Sequence, residues 1–348
     1  MYDIELVNAA LKLLRDMFGV QKGESVVITA DTESNYDVVE ATAQAAFILG
    51  GRPIITKIAS PRGVGKAADP DLPMEPLIGL LSAADVWVEY NNQWLFYSTV
   101  YDKVVATNKK LRYMNLVGAN PDLFMRNIGR VDIPLLTEFI LKVEEVTKKA
   151  KHIRVTTPAG TDVEFDNFPG REFLTADGVV RKGEVKMLPG QIAWSPDFKT
   201  INGIIVIDGA LTPPLGKLTE PVKLTVKEGR IVKVEGGKEA KEFENWLNSF
   251  NDENMFITAH ISYGLGPGAK LTGDIVEDER VWGCTEWGFG NVGAILVSDI
   301  PGGIPAASHS DGICLNSTVY LDGKLFLKEG QVVGPTEEIV NLAKKLGK

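Results

Sequence analysis

The strands in the first 150 residues are apolar on both faces, and each is followed by a helix. "ESVVITAD" (24–31) runs with almost no polar alternation, and "NYDVVEATAQAAFILGG" (35–51) reads as a helix ending at Gly50-Gly51. The order then repeats: strand "RPIITKI" (52–58), helix "MEPLIGLLSAA" (74–84), strand "DVWVEYN" (85–91), helix "STVYDKVVATNKK" (98–110), strand "RYMNLVG" (112–118). A strand with no polar face must be covered on both sides, and strands that alternate with helices are joined by crossovers. The pattern therefore predicts a parallel sheet between helical layers. A long helix over "VDIPLLTEFILKVEEVTKKA" (131–150) leaves this domain.

From "KHIRVTTPAGTDVEF" (151–165) onward the texture changes. Strand pairs meet at tight turns: Pro158-Ala159-Gly160, Glu228-Gly229 inside "VKLTVKEGRIVKVEGG", and Asp322-Gly323 inside "STVYLDGKLFL". Alternation such as Val222, Leu224, Val226 fits hairpins with one buried face. Helices are expected over "EAKEFENWLNSF" and the C-terminal "TEEIVNLAKKLGK". The expected fold class is an α/β N-terminal domain with a parallel sheet (1–150), followed by a β-rich α+β domain (151–348). At 348 residues two domains are the natural reading, because single cores stop growing near about 250–300 residues.

Charge and length bound the partners. A formal net charge of −9 repels phosphate backbones and anionic lipid, so nucleic-acid and membrane-surface roles are not expected. No apolar run approaches the roughly 18–20 residues of a membrane span. The N-terminus carries Asp3 and Glu5 and reads as a packed helix (Leu6, Ala10, Leu13, Leu14, Met17 on one face) ended at Gly19, not as a signal peptide. Two cysteines, Cys284 and Cys314, without a C-x-x-C fit a reducing cytoplasm.

Nucleotide motifs fail on inspection. "GVGKAADPD" (63–71) has Ala67 where a phosphate loop needs a hydroxyl for Mg²⁺. Gly264-x-Gly266-x-Gly268 lacks the third-glycine offset of a dinucleotide loop. The three histidines are more informative. His152 begins an exposed strand and reads as structural or solvated. His260 lies where an apolar strand meets a glycine-rich turn, a place where side chains meet ligands. His309 and Asp311 are two apart, so on a strand both point to one face and can bind one ion. A second histidine from a neighbouring segment completes a 2-His-1-carboxylate set, which on Fe(II) leaves positions open for substrate and O₂. Glu286, a carboxylate among apolar and glycine residues in "GCTEWGFGN", is expected to be paired or ligating. The acidic run "VEDER" (276–280) reads as a solvated helix start.

"FNDENMFITAHISYGLGPGAK" (250–270), "EDERVWGCTEWGFGN" (277–291) and "ASHSDGICLNSTVYLDGK" (307–324), in that order, resemble the C-terminal domain shared by two related families. One is 2,5-dihydroxypyridine 5,6-dioxygenase, a mononuclear non-haem Fe(II) enzyme. The other holds the metallopeptidases aminopeptidase T and aminopeptidase S. The resemblance covers the whole chain loosely and residues 150–335 well. It implies an α/β domain followed by a metal-binding α+β domain, homo-oligomerisation, and a small-molecule substrate used with O₂. Carried over residue by residue, the dioxygenase ligands fall on His260, His309 and Asp311.

The peptidases hold two metals with glutamates and histidines. At their first glutamate this chain has Gln191 in "PGQIAWSP", and at their second it has His260. Losing two carboxylates from a site for two dications argues against a dinuclear centre. A metal-dependent aminopeptidase-type hydrolase using Zn, Co or Mn, with Glu279 or Glu286 supplementing the ligands, stays open as the alternative. A non-catalytic descendant of the fold is a third. In "YNNQWLFYSTVYD" the dioxygenase's N-terminal-domain histidine is missing and Tyr97 stands nearest its place. The ring acted on is therefore expected to differ from 2,5-dihydroxypyridine itself. Tyr97 and Glu286 are the catalytic candidates; Trp94, Ser262, Tyr263 and Ser308 are the substrate-contact candidates.

Overall fold

The structure is a computed structural model describing residues 3–348; Met1 and Tyr2, at the start of the N-terminal segment read above, lie outside the described residues. The chain forms two compact units. One runs to Pro134 and includes Gly178–Pro189; the other is Leu135–Asp177 with Gly190–Lys348.

In the first unit, five strands form one sheet in the order Arg52–Ile58, Ser25–Asp31, Val86–Glu89, Arg112–Asn115, Val185–Lys186. Every pairing is parallel. Val86–Glu89 and Arg112–Asn115 are buried at every residue, and Ser25–Asp31 at all but its first, as strands covered on both faces must be. "RPIITKI" differs from its sisters. It lies at the sheet edge, and Arg52, Ile54 and Lys57 are exposed; charged edge residues discourage pairing with another chain. Helices start where capping side chains permit: Asn35 accepts the N–H of Asp37, and Ser98 that of Tyr101. Lys66, of the loop that resembled a phosphate binder, is committed to Asp102 at 2.5 Å.

The second unit holds two antiparallel sheets of eight and seven strands. Phe165 of the first lies 5.8 Å from Trp287 of the second, edge to face, and Phe326 lies 5.3 Å from Tyr263. These fully buried rings form the layer between the sheets. Each contributes a few kcal/mol of burial, roughly 25 cal/mol per Å² of apolar surface removed from water. Three hairpins turn at residue pairs with positive φ at both positions: Glu228-Gly229, Asp322-Gly323 and Glu329-Gly330, the backbone that matches strand twist. The first two were legible as turns; the third was not singled out.

Two of these turns allow a controlled comparison. A Cβ on Gly229 would sit 2.4 Å from the Phe198 carbonyl oxygen, whereas one on Gly323 meets nothing within 4 Å. Gly323→Ala should cost about 1 kcal/mol, the left-handed backbone penalty alone. Gly229→Ala should cost roughly 3 kcal/mol, because backbone must also shift. Urea midpoints of the two variants check this; equal losses would contradict it.

Candidate metal centre

Three neighbouring antiparallel strands of the seven-stranded sheet carry the site: Thr258–Gly264, Thr285–Val292 and Ile304–Cys314. Register aligns His260 with Gly288, and Gly288 with Asp311. His309 lies opposite Gly290, so it and Asp311, two apart, share the face. The centre of this row is empty of side chain. A Cβ on Gly288 would lie 2.2 Å from Cε1 and 2.3 Å from Nδ1 of His260. The imidazole therefore lies across Gly288, and glycine is what lets it cross the middle strand. Its Nε2 comes within 3.6 Å of Asp311 Oδ1 and 3.1 Å of Glu286 Oε1. The His260 and His309 rings run nearly parallel, 5.2 Å apart at 12°.

The donor atoms fit a metal ion. His260, His309 and Asp311 each offer one, all within 4.8 Å of one another. Nδ1 of His309 lies 2.9 Å from the Asn291 carbonyl oxygen. A carbonyl only accepts, so Nδ1 carries the proton and Nε2 is the nitrogen turned inward. Nε2 stands 2.9 Å from Asp311 Oδ1. The Nδ1 bond to the Asn291 carbonyl is the outer support that fixes a ligating imidazole. Glu286 stands beside these donors with its side chain 0% exposed and neither carboxylate oxygen in a well-directed hydrogen bond. Two neutral imidazoles and a carboxylate suit a divalent transition metal.

The electrostatics follow from too many buried acids. Burial, then the charge of Asp311, pushes Glu286 well above the carboxylate range. Burial pushes Glu279 up to about 7 against the pull of Arg280, with Asp311 and Glu286 adding to the rise. For Asp311 burial is outweighed by His309, and it falls below the usual value. His309 is correspondingly raised: burial opposes its charge, but the Asp311 carboxylate prevails. A relay supports the acids from behind. Arg280 Nη1 bonds Glu279 Oε2 at 2.6 Å, and Gln191 Nε2 bonds Glu279 at 2.8 Å and Ser262 Oγ at 3.1 Å. Ser262 is opposite Glu286.

"VEDER" corrects the sequence reading. It is not a solvated helix start: Glu277, Asp278 and Arg280 are at most 1% exposed. Asp278 accepts the N–H groups of Thr272 and Gly273, and burial pushes it up to about 6. These residues fasten the loop after the His260 strand.

The other candidates are placed as follows. Tyr263 is fully buried, its ring edge-on to Trp194 at 4.9 Å, so it belongs to the aromatic layer on the side of the strand away from His260. Ser308 gives its N–H to Met255 Sδ. His152 is exposed, with Nδ1 2.8 Å from Asp166. Trp94 and Tyr97 belong to the first unit. Tyr97, 58% exposed, has φ +64° and packs on Phe96. Their loop is held by Glu89, a fully buried carboxylate that the sequence reading missed. Its oxygens take the Leu95 N–H, the Tyr113 hydroxyl and the Asn115 amide, and burial pushes it up to about 7. Gly288 was also missed, because its role depends on register with a distant strand.

Two outcomes follow for metal uptake. The raised His309 must lose a proton to bind a cation. Co²⁺ affinity of metal-free protein should therefore climb roughly tenfold per pH unit until pH passes the His309 value, above its ordinary 6.5, and flatten beyond. A titration giving a flat profile between about pH 5.5 and 7.5 would exclude this. Gly288→Ala should weaken Co²⁺ at least as much as losing an outer support, about 10–100-fold, because the new methyl occupies the His260 ring's place. Unchanged affinity by competition with a chelator would overturn it.

Comparison with known proteins bears on the same chain. A curated 2,5-dihydroxypyridine 5,6-dioxygenase from Pseudomonas putida is 25% identical over 268 residues, 74% of this chain and 73% of that protein. The solved structure of 2,5-dihydroxypyridine dioxygenase from Pseudomonas putida superposes with TM-score 0.79 at 21% identity, covering 98% of this chain and 99% of that one. Wild-type AmpT from Thermus thermophilus superposes with TM-score 0.66 at 14% identity, covering 96% and 100%. Both structural likenesses concern the fold, a mixed α/β arrangement of one parallel and further antiparallel sheets. The model of the 2,5-dihydroxypyridine 5,6-dioxygenase family matches residues 5–334, and the chain belongs to that family.

Proposed function

We propose that the protein is a mononuclear non-haem Fe(II) dioxygenase that opens a small hydroxylated aromatic or N-heterocyclic ring of the 2,5-dihydroxypyridine kind. The observation that carries this reading is the convergence of His260, His309 and Asp311 across three strands in a chain of the dioxygenase family. His260 Nε2, His309 Nε2 and one Asp311 oxygen would hold the metal. Bound there, ferrous iron would supply open coordination positions for a ring oxygen and for O₂ and a path for electrons from the ring to O₂.

The chain's own residues do the rest. The Asn291 carbonyl keeps the proton of His309 on Nδ1, leaving Nε2 as donor to the ion. Burial of Asp311 and His260, 14% and 12% exposed, limits water at the centre and strengthens every charge interaction there. Glu286 holds a proton at a carboxyl oxygen beside His260 and exchanges it with a ring hydroxyl, the general acid–base step of the reaction. Ser262 Oγ accepts from Gln191, so its own proton remains to be donated. Substrate and O₂ are the partners this chemistry needs.

Protein purified without air should carry about one iron per chain, measured by elemental analysis, and consume O₂ with dihydroxylated rings. His260→Ala should lose the iron and lower O₂ uptake by more than the roughly 10–100-fold typical of an outer support. Iron and O₂ uptake untouched by the substitution would sink the proposal. Two zinc, cobalt or manganese ions per chain, surviving the substitution, would instead favour hydrolysis with Glu279 and Glu286 as ligands.

A further inference from the structure

The row that joins His260, Gly288 and Asp311 continues one strand further. Asp311 pairs with Thr212 in the short strand Ala210–Thr212, so the row runs His260, Gly288, Asp311, Thr212 across four adjacent strands. Directly opposed residues of a sheet project to one face with Cβ atoms about 4.5–5.5 Å apart. Thr212 therefore stands beside Asp311, on the face of the candidate ligands. Its hydroxyl is buried and has no hydrogen-bond partner among the described residues.

A buried hydroxyl without a partner is costly, and valine would fill the same space without that cost. Steadying Asp311 is not what the hydroxyl does: the Asp311 Oδ1 contact is made by His309, and Thr212 bonds neither. Packing does not need it either, since the turn that follows is fixed by other groups. Ser310 Oγ donates to the Pro213 carbonyl at 2.6 Å, and the Leu215 N–H to the Leu211 carbonyl at 2.9 Å. The hydroxyl is thus held in place by its strand and committed to nothing the chain provides.

We infer that Thr212 is a specificity-determining residue whose Oγ–H donates to an oxygen substituent of the ring bound at this face. The inference rests on the metal-centre reading above and narrows it. The substrate presents a hydroxyl or oxo group on its Asp311 side, next to the position that meets the ion. Rings lacking that oxygen leave the threonine hydroxyl unsatisfied and are discriminated against.

The test compares wild type, Thr212→Val and Thr212→Ser, loaded with Co²⁺ and kept free of O₂. The Co²⁺ dissociation constant is measured first. Binding of 2,5-dihydroxypyridine and of catechol is then followed through the visible bands of the bound cobalt. Thr212→Val should weaken the ring that wild type binds by roughly tenfold, the loss of one hydrogen bond. Co²⁺ affinity should stay within about twofold, and Thr212→Ser should return ring affinity to near the wild-type value. Unchanged ring binding in Thr212→Val overturns the assignment and leaves the metal centre standing. A matching fall in Co²⁺ affinity also overturns it, placing Thr212 behind Asp311 instead. Wild type that binds Co²⁺ but neither ring removes the substrate class together with this assignment, and wild type that binds no Co²⁺ removes the metal reading itself.

Discussion

The missing side chain of Gly288 is the constraint on which the candidate site depends. His260 and Asp311 sit on strands that do not touch; the middle strand separates them, about 4.8 Å from each neighbour. Any residue but glycine at that crossing would fill the space where the imidazole lies. The sheet register does the rest, setting His260, Gly288 and Asp311 in one line. A slip of one residue would send every one of these side chains to the aromatic layer on the other face. Register breaks occur close by, between Thr258 and His260 and between Gly290 and Val292. Such irregularities re-aim side chains beside functional sites.

A site built this way collects negative charge. Glu279, Glu286 and Asp311 share a buried neighbourhood in which Arg280 pairs with Glu279. Protons are therefore held more tightly here: burial raises Glu286 and Glu279, and Asp311 raises His309 against the opposing effect of burial. The sign of each effect matters. A raised His309 stabilises the metal-free fold below its ordinary value and loses that contribution as pH climbs through the raised one. The lowered Asp311 contributes above the ordinary carboxylate value and loses its part as pH falls through the lowered one. A divalent cation bound among these atoms would take the place of such protons, which would couple metal uptake to proton release.

Much of this was readable from local pattern. The His309-x-Asp311 pair follows from the two-residue period of a strand, and the Glu228-Gly229 and Asp322-Gly323 turns from residues that tolerate positive φ. The alternation of buried strands with helices gave the parallel sheet of the first unit. Features set by distant pairing stayed hidden. Nothing local in "GCTEWGFGN" says that Gly288, and not Gly290, carries a histidine from another strand across it. The strand Val185–Lys186 is two residues long and joins the parallel sheet only through its pairing with Arg112–Asn115. "VEDER" looked solvated because its composition is acidic; it is buried because backbone N–H groups of Thr272 and Gly273 wait for Asp278.

Placing the donors on strands and not on loops has a consequence for how such a centre diversifies. The His260 and Asp311 positions are fixed by backbone hydrogen bonds on both sides of the middle strand, so the candidate donor set belongs to the rigid part of the unit. Variation in what the site accepts must then come from residues that share the face without holding the ion. Thr212, at the end of the row, and Ser262, two residues from His260 on its strand, are two of these. A hydroxyl at either position can be gained or lost with little change in volume, while a change at Gly288 disturbs the imidazole itself. The same sheet thus separates two demands: a bare crossing at Gly288 that leaves room for the His260 ring, and latitude at face positions such as Thr212 and Ser262, where a side chain can change without entering that space.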